Sequence, residues 1–174
     1  MEYVGEHGLS TLTLRPLAAA LGTSDRMLLY HFGSREGLVT ALLDRAFDGL
    51  AAVRQEQRFA QPSDLVRVLW QAFTEPGMRV AVRVYLEAAS LAGTGEPWRA
   101  QLAPATTAYL GAAEQWLTEA GIPSSLAPST ARLTSAALDG VLLQLGIDGD
   151  EAAATEAVEL LARQLDTLRT DTGK

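Results

Sequence analysis

The side chains best suited to directional chemistry gather in one short stretch, Leu12 to Leu38, reading LTLRPLAAALGTSDRMLLYHFGSREGL. Arg26 and Tyr30 lie four residues apart, as do Met27 and His31, so on a helix both pairs share one face; Leu28 and Phe32 share the opposite one. The first face offers a guanidinium, a phenol and an imidazole, groups that suit guanine edges, phosphates and sugars when a helix lies in the major groove. Arg35, just beyond, adds a candidate phosphate contact. Catalytic chemistry finds little material. The two histidines are His7 and His31, cysteine is absent, and no G-x-S-x-G, metal-spaced His/Cys cluster or dinucleotide fingerprint occurs. Carboxylates such as Glu156 and Glu159 fall in a run that reads as a solvated helix face. The expectation is a binding protein without enzymatic activity, cofactor or metal.

These side chains need a rigid local frame, and the flanking residues specify one. Thr13 is a good N-cap, and Pro16 falls in the first helical turn, where its missing amide hydrogen removes no bond. Leu14, Leu17, Ala18 and Leu21 follow helical spacing, and Gly22 can take the positive φ that ends a helix. Ser24 caps a second helix only two residues later, which forces a steep crossing. The stretch predicts a helix-turn-helix.

At Thr13, Arg15, Leu17-Ala18, Leu21-Gly22, Ser24, Leu28, His31-Phe32 and Gly33-Ser34-Arg35-Glu36 leading to Leu38, the chain resembles the DNA-binding domain of the TetR family of bacterial transcriptional regulators. The resemblance implies that Thr13 and Arg15 lie near the DNA backbone. It counts the cap Ser24 among the DNA-binding residues, places Asp25, Arg26 and Met27 at base edges, and puts Tyr30, His31 and Arg35 on phosphate or sugar. Two positions depart from the family pattern: Leu29 stands where a phosphate-binding tyrosine is usual, and Arg35 where lysine is usual, which keeps the charge but changes the donor geometry.

Composition bounds the rest. The 174 residues suffice for one compact unit or two small ones, and 48% apolar content supports a packed core. Aromatic residues make up only 6%, while alanine and leucine abound, a bias towards helix. No apolar run approaches the roughly 20 residues of a membrane span, and the N-terminus lacks signal-peptide features, so a soluble cytoplasmic protein is expected. A net charge of −7 argues against indiscriminate nucleic-acid binding, which phosphate neutralisation drives. Between residues 13 and 35, Arg15, Arg26 and Arg35 outnumber Asp25, leaving a small local positive surplus.

In chain order, Met1 to Glu6 reads as the last turn or two of a first helix stopped at Gly8; either its true start lies upstream or Tyr3 and Val4 do its packing alone. A long helix is predicted from the cap Ser34 through Leu50 and Val53 to about Gln57, linking the reading head to the remainder. Pro62-Ser63 restarts the chain, and Leu65, Val66, Leu69, Trp70 and Phe73 form a stripe that stops at Glu75-Pro76-Gly77. Met78 to Ala92 alternates as a strand would at its valines, but Arg79, Arg83 and Glu87 keep helical spacing and no partner strand exists; it is read as helix. Gly93 to Pro97 is a loop without the lysine of a phosphate loop. Helices follow from Trp98 to Ala120, with Pro104 marking a break or a beginning, and at about 128–145 and 151–169.

The predicted architecture is all-α: a helix-turn-helix DNA-binding domain over residues 1–50, and a helical ligand-binding and dimerisation domain over 51–174. Trp70, Phe73, Arg83, Tyr85, Trp98, Tyr109 and Trp116 are candidates for an effector cavity. Arg83 with Glu87, and Glu159 with Arg163, read as helix-surface ion pairs. Ala154, Ala157, Leu161, Leu165 and Leu168 form an apolar seam that serves either as intramolecular core or, as the resemblance implies, as the interface of a two-fold homodimer, an arrangement that suits a palindromic double-stranded operator. The resemblance implies a repressor released by a small, largely apolar effector; the other class open is a helical dimer binding a ligand or protein without effective DNA contact.

Overall fold

The computed structural model describes residues 2–9, 12–56, 59–93 and 98–169, leaving aside the side chains of residues 2, 46–56 and 101. The helix expected through Leu50 and Val53 is present to Glu56, while the 94–97 loop lies outside that description. Its helices are α1 (Glu2–His7), α2 (Leu14–Ala20), α3 (Asp25–Phe32), α4 (Arg35–Glu56), α5 (Pro62–Thr74), α6 (Pro76–Ala92), α7 (Trp98–Glu119), α8 (Ala127–Asp148) and α9 (Glu151–Asp166). No strand occurs among the described residues, and none of the helices described there is long and apolar enough to cross a membrane. The valine-rich segment whose periodicity was double-edged is helix α6, opened by Pro76 at its first turn.

Packing divides the chain into two compact units: Met1–Glu56 with Phe73–Ala105, and Gln57–Ala72 with Thr106–Lys174. It thus groups α6 and the opening of α7 with the amino-terminal helices.

The first unit closes over one apolar core. Val4, Leu9, Leu12, Leu17, Ala18, Leu28, Leu38, Val39 and Leu43 meet Val84 and Ala88 of α6 and Trp98 and Leu102 of α7. Helix α1 is held by Val4, which is buried, and by Tyr3, packed beside it. Gly5 lets α6 approach, since a Cβ there would come 3.0 Å from a methyl of Val80.

In the second unit α8 and α9 pair as antiparallel neighbours across a two-residue turn. Gly149 takes φ 71° and Asp150 caps α9, its carboxylate accepting from the Ala153 amide at 2.9 Å. The expected four-residue loop shrinks because Gly146 stays helical; of the two glycines only Gly149 adopts the left-handed conformation that ends a helix. The inner face of α9 is Ala154, Val158, Ala162 and Leu165, so the predicted seam mixed two faces: Ala157 and Leu168 are exposed. Apolar residues surround this alanine-rich helix, and periodicity alone fits more than one stripe. The predicted partner of Glu159 also changes. Both its oxygens accept from the Arg67 guanidinium at 2.9 Å, a fork-to-fork pair that lowers the Glu159 pKa and raises that of Arg67. The Ser63 amide donates to Asp166 at 2.9 Å, a second tie between α5 and α9.

Asp139, half-buried on α8, has its carboxyl pushed by burial from 3.8 up to about 6. The folded chain therefore holds that proton more tightly than the unfolded chain, so the group costs nothing below 3.8 and destabilises increasingly as pH rises through about 6. Asp139→Asn should gain stability over wild type as pH rises through that window, read as the difference in urea midpoint. A difference independent of pH would contradict the assignment.

Candidate nucleic-acid interface

Local chemistry builds this surface from its turns outward. At the end of α2, Gly22 takes φ 67°, and the amides of Gly22 and Thr23 return to the carbonyls of Ala19 and Ala18 at 3.2 and 2.9 Å, satisfying groups the helix end would otherwise orphan. Ser24 then caps α3, its hydroxyl accepting from the Met27 amide at 3.3 Å. Thr13 occupies the N-cap position of α2 in extended conformation, but its side chain makes no cap hydrogen bond and is exposed. At the far end of α3, Gly33 takes φ 73° and the Ser34 hydroxyl accepts from the Gly37 amide at 2.9 Å, starting α4.

Between these turns α3 turns one residue, Leu28, fully inward. Asp25, Arg26, Met27, Leu29, Tyr30, His31 and Phe32 are all exposed, Tyr30 to 80%. The pattern matches the outward face read from the sequence, with one correction: Phe32, expected to pack beside Leu28, is 39% exposed. It is the last residue of the helix, where the chain reverses at Gly33 and the core no longer extends beneath it. Asp25 accepts from the Arg26 amide at 2.9 Å, a carboxylate at the positive end of the helix. Arg15, on α2, is exposed. A two-turn helix presenting a guanidinium, a carboxylate, a phenol and an imidazole on rigid turns has the dimensions to enter a major groove about 12 Å wide.

Arg35 is placed differently. Its guanidinium is turned inward, donating to the Leu9 carbonyl and lying over the Trp98 ring, 5.8 Å from the centroid.

Residues 1–42 match the family model for bacterial regulatory proteins of the tetR family. This amino-terminal stretch is thus similar to the DNA-binding domain of that family. The fold as a whole is also TetR-like: it superposes with TM-score 0.72 on a solved structure described as that of a TetR-family transcriptional regulator from Rhodococcus sp., at 21% identity over 96% of this chain and 92% of that one. No curated protein matches the chain.

The seven ligand candidates are divided between the two units. Phe73, Arg83, Tyr85 and Trp98 belong to the same unit as the TetR-type head, where Trp98 is core, Tyr85 packs against that core and Arg83 donates to the Gly5 carbonyl while lying 3.9 Å from Glu87. Trp70, Tyr109 and Trp116 are half-buried in the second unit, with Trp116 edge-on to Phe59 at 5.5 Å. A surface groove of about 470 Å³ in that unit uses other residues, among them Leu110 and Glu114 of α7 and Ser129, Arg132 and Leu133 of α8. No spacing rule links residues on separate helices, so the sequence held no signal for it.

The junction that launches α4 admits no side chain at Gly37: a Cβ there would lie 2.2 Å from the Phe32 carbonyl oxygen. Gly37→Ala should therefore cost about 1–3 kcal/mol, as backbone overpacking does. Gly111, inside α7 with open space around it, should instead gain about 0.5–1 kcal/mol on substitution by alanine. Chemical denaturation of the two variants should give opposite signs.

Proposed function

We propose that this protein is a transcriptional repressor that binds a palindromic operator as a homodimer and leaves it when a small, largely apolar effector binds. The observation that carries the reading is α3, whose directional side chains stand outward between two glycine-terminated turns in a TetR-family head. In this reading Arg26, with Asp25 and Met27, reads base edges, and Thr13, Arg15, Tyr30 and His31 bind backbone. Residues 1–50 are the DNA-binding domain, residues 51–174 serve the effector and the dimer, and the protein works in the cytoplasm, where its operator is.

Support for the dimer comes from apolar surface that a single chain leaves in water. On α8, Leu133, Ala136, Gly140, Leu143 and Ile147 follow each other at spacings of three and four, and Ile147 is 86% exposed. Leu160 of α9 and Leu168, just beyond its end, are exposed too. A contiguous patch of this kind favours an isologous contact, and two-fold symmetry then spaces two reading helices for two half-sites. Support for an effector is the groove beside α8, whose size falls in the range of ligand sites, and the half-buried Trp70, Tyr109 and Trp116 in the same unit.

Duplexes selected by the wild-type protein from a randomised pool supply the test. Arg26→Ala should weaken binding to the selected sequence by roughly 1–3 kcal/mol without altering the fold. Failure of the wild type to enrich any sequence would overturn the reading. For the dimer, Leu143→Glu with Leu160→Glu should give folded monomers in sedimentation, because both side chains are exposed in the single chain. Leu165→Glu, whose side chain is buried, should instead unfold the protein.

A further inference from the structure

Leu9 lies between α1 and α2 in the chain, and it is fully buried. Its amide has left α1, which ends at His7, with Gly8 following at φ 74°, so that N–H needs a partner from elsewhere in the chain. Glu87, 78 residues away on α6, supplies it: the carboxylate accepts from the Leu9 amide at 2.7 Å and lies 3.8–3.9 Å from where a Cβ on Gly8 would stand. The Leu9 carbonyl accepts twice, from the Leu12 amide at 3.1 Å and from the Arg35 guanidinium. Arg35 is the first residue of α4, so this one peptide joins the chain entering the helix-turn-helix to the chain leaving it. The guanidinium in turn rests on the face of Trp98, a core residue at the start of α7, and its Nε is buried with no hydrogen-bond partner among the described residues. A charged group buried with an unmade bond stays only where other contacts hold it.

We propose that Glu87 and Trp98 are positioning residues for the DNA-reading surface, acting through the Leu9 peptide and Arg35 to clamp both ends of the helix-turn-helix. Arg35 is then a closure residue and not a phosphate ligand. The physical logic lies in α3: with Leu28 as its one buried side chain, its angle is set by where α2 begins and where α4 begins. The clamp ties those two points together, and its outer parts, Glu87 and Trp98, are set by α6 and α7. This rests on the DNA-binding reading above.

The test uses the full-length protein and the duplex that the wild type selects from a randomised pool. Arg35→Met keeps the aliphatic stem and removes the donor; Glu87→Met removes the acceptor and Glu87→Gln keeps one. Arg35→Met and Glu87→Met should each weaken binding about five- to tenfold, with Glu87→Gln staying within about twofold. The slope of log affinity against log salt should be unchanged in all three, since no phosphate contact is lost. The double variant Arg35→Met/Glu87→Met should be no weaker than the worse single variant, because the clamp breaks only once. Helical circular dichroism and cooperative melting confirm that each variant is folded. A slope reduced by about one in Arg35→Met would make Arg35 a phosphate ligand and overturn the clamp, as would additive losses in the double variant. A wild type that selects no duplex defeats the DNA-binding reading and the clamp with it; a wild type that binds while the variants give either of the contrary results defeats the clamp alone.

Discussion

The orientation of α3 depends on how its two ends are held. An eight-residue helix is too short to be stable alone and must borrow its stability from packing, yet α3 commits a single side chain to the core and leaves its other faces in water. Such a helix is held less by its own contacts than by its ends. The left-handed glycines at 22 and 33 and the serine caps at 24 and 34 spend their hydrogen bonds on those ends. The reading surface therefore stays free of structural duty, which is what lets it carry so many directional groups.

What α3 lacks in contacts the rest of its unit supplies. Val84 and Ala88 of α6 and Trp98 and Leu102 of α7 complete a core that α1 to α4 begin. Small residues make the approach possible, as at Gly5 against Val80, while Arg83 and Glu87 bond backbone groups at the end of α1 and beyond it. Residues distant in sequence thus take part in holding the head, and a perturbation that moves α6 or the start of α7 acts on the same packed core as the reading helix. Within the second unit the logic differs. Leucines on both sides of α8 and α9 serve one face that is buried in the chain and another that is left in water.

The sequence by itself determined the helix-turn-helix, its turns and the outward set on α3, because each rests on interactions within four or five residues: a cap at Ser24, a positive φ at Gly22, the spacing of Arg26 and Tyr30. It also determined that Met78–Ala92 is helical, since a strand there had no partner to hydrogen-bond. Tertiary structure alone decided the rest. Whether Gly146 or Gly149 ends α8, which leucines of α9 face inward, and that Glu159 forms its fork-to-fork pair with Arg67 all depend on neighbouring helices. The same holds for the inward turn of Arg35 and the burial of Trp98 in the head's core. A guanidinium reaches several ångströms and an aromatic ring suits core and cavity equally, so residue type and spacing leave their partners open; the packing of helices far apart in the chain selects one.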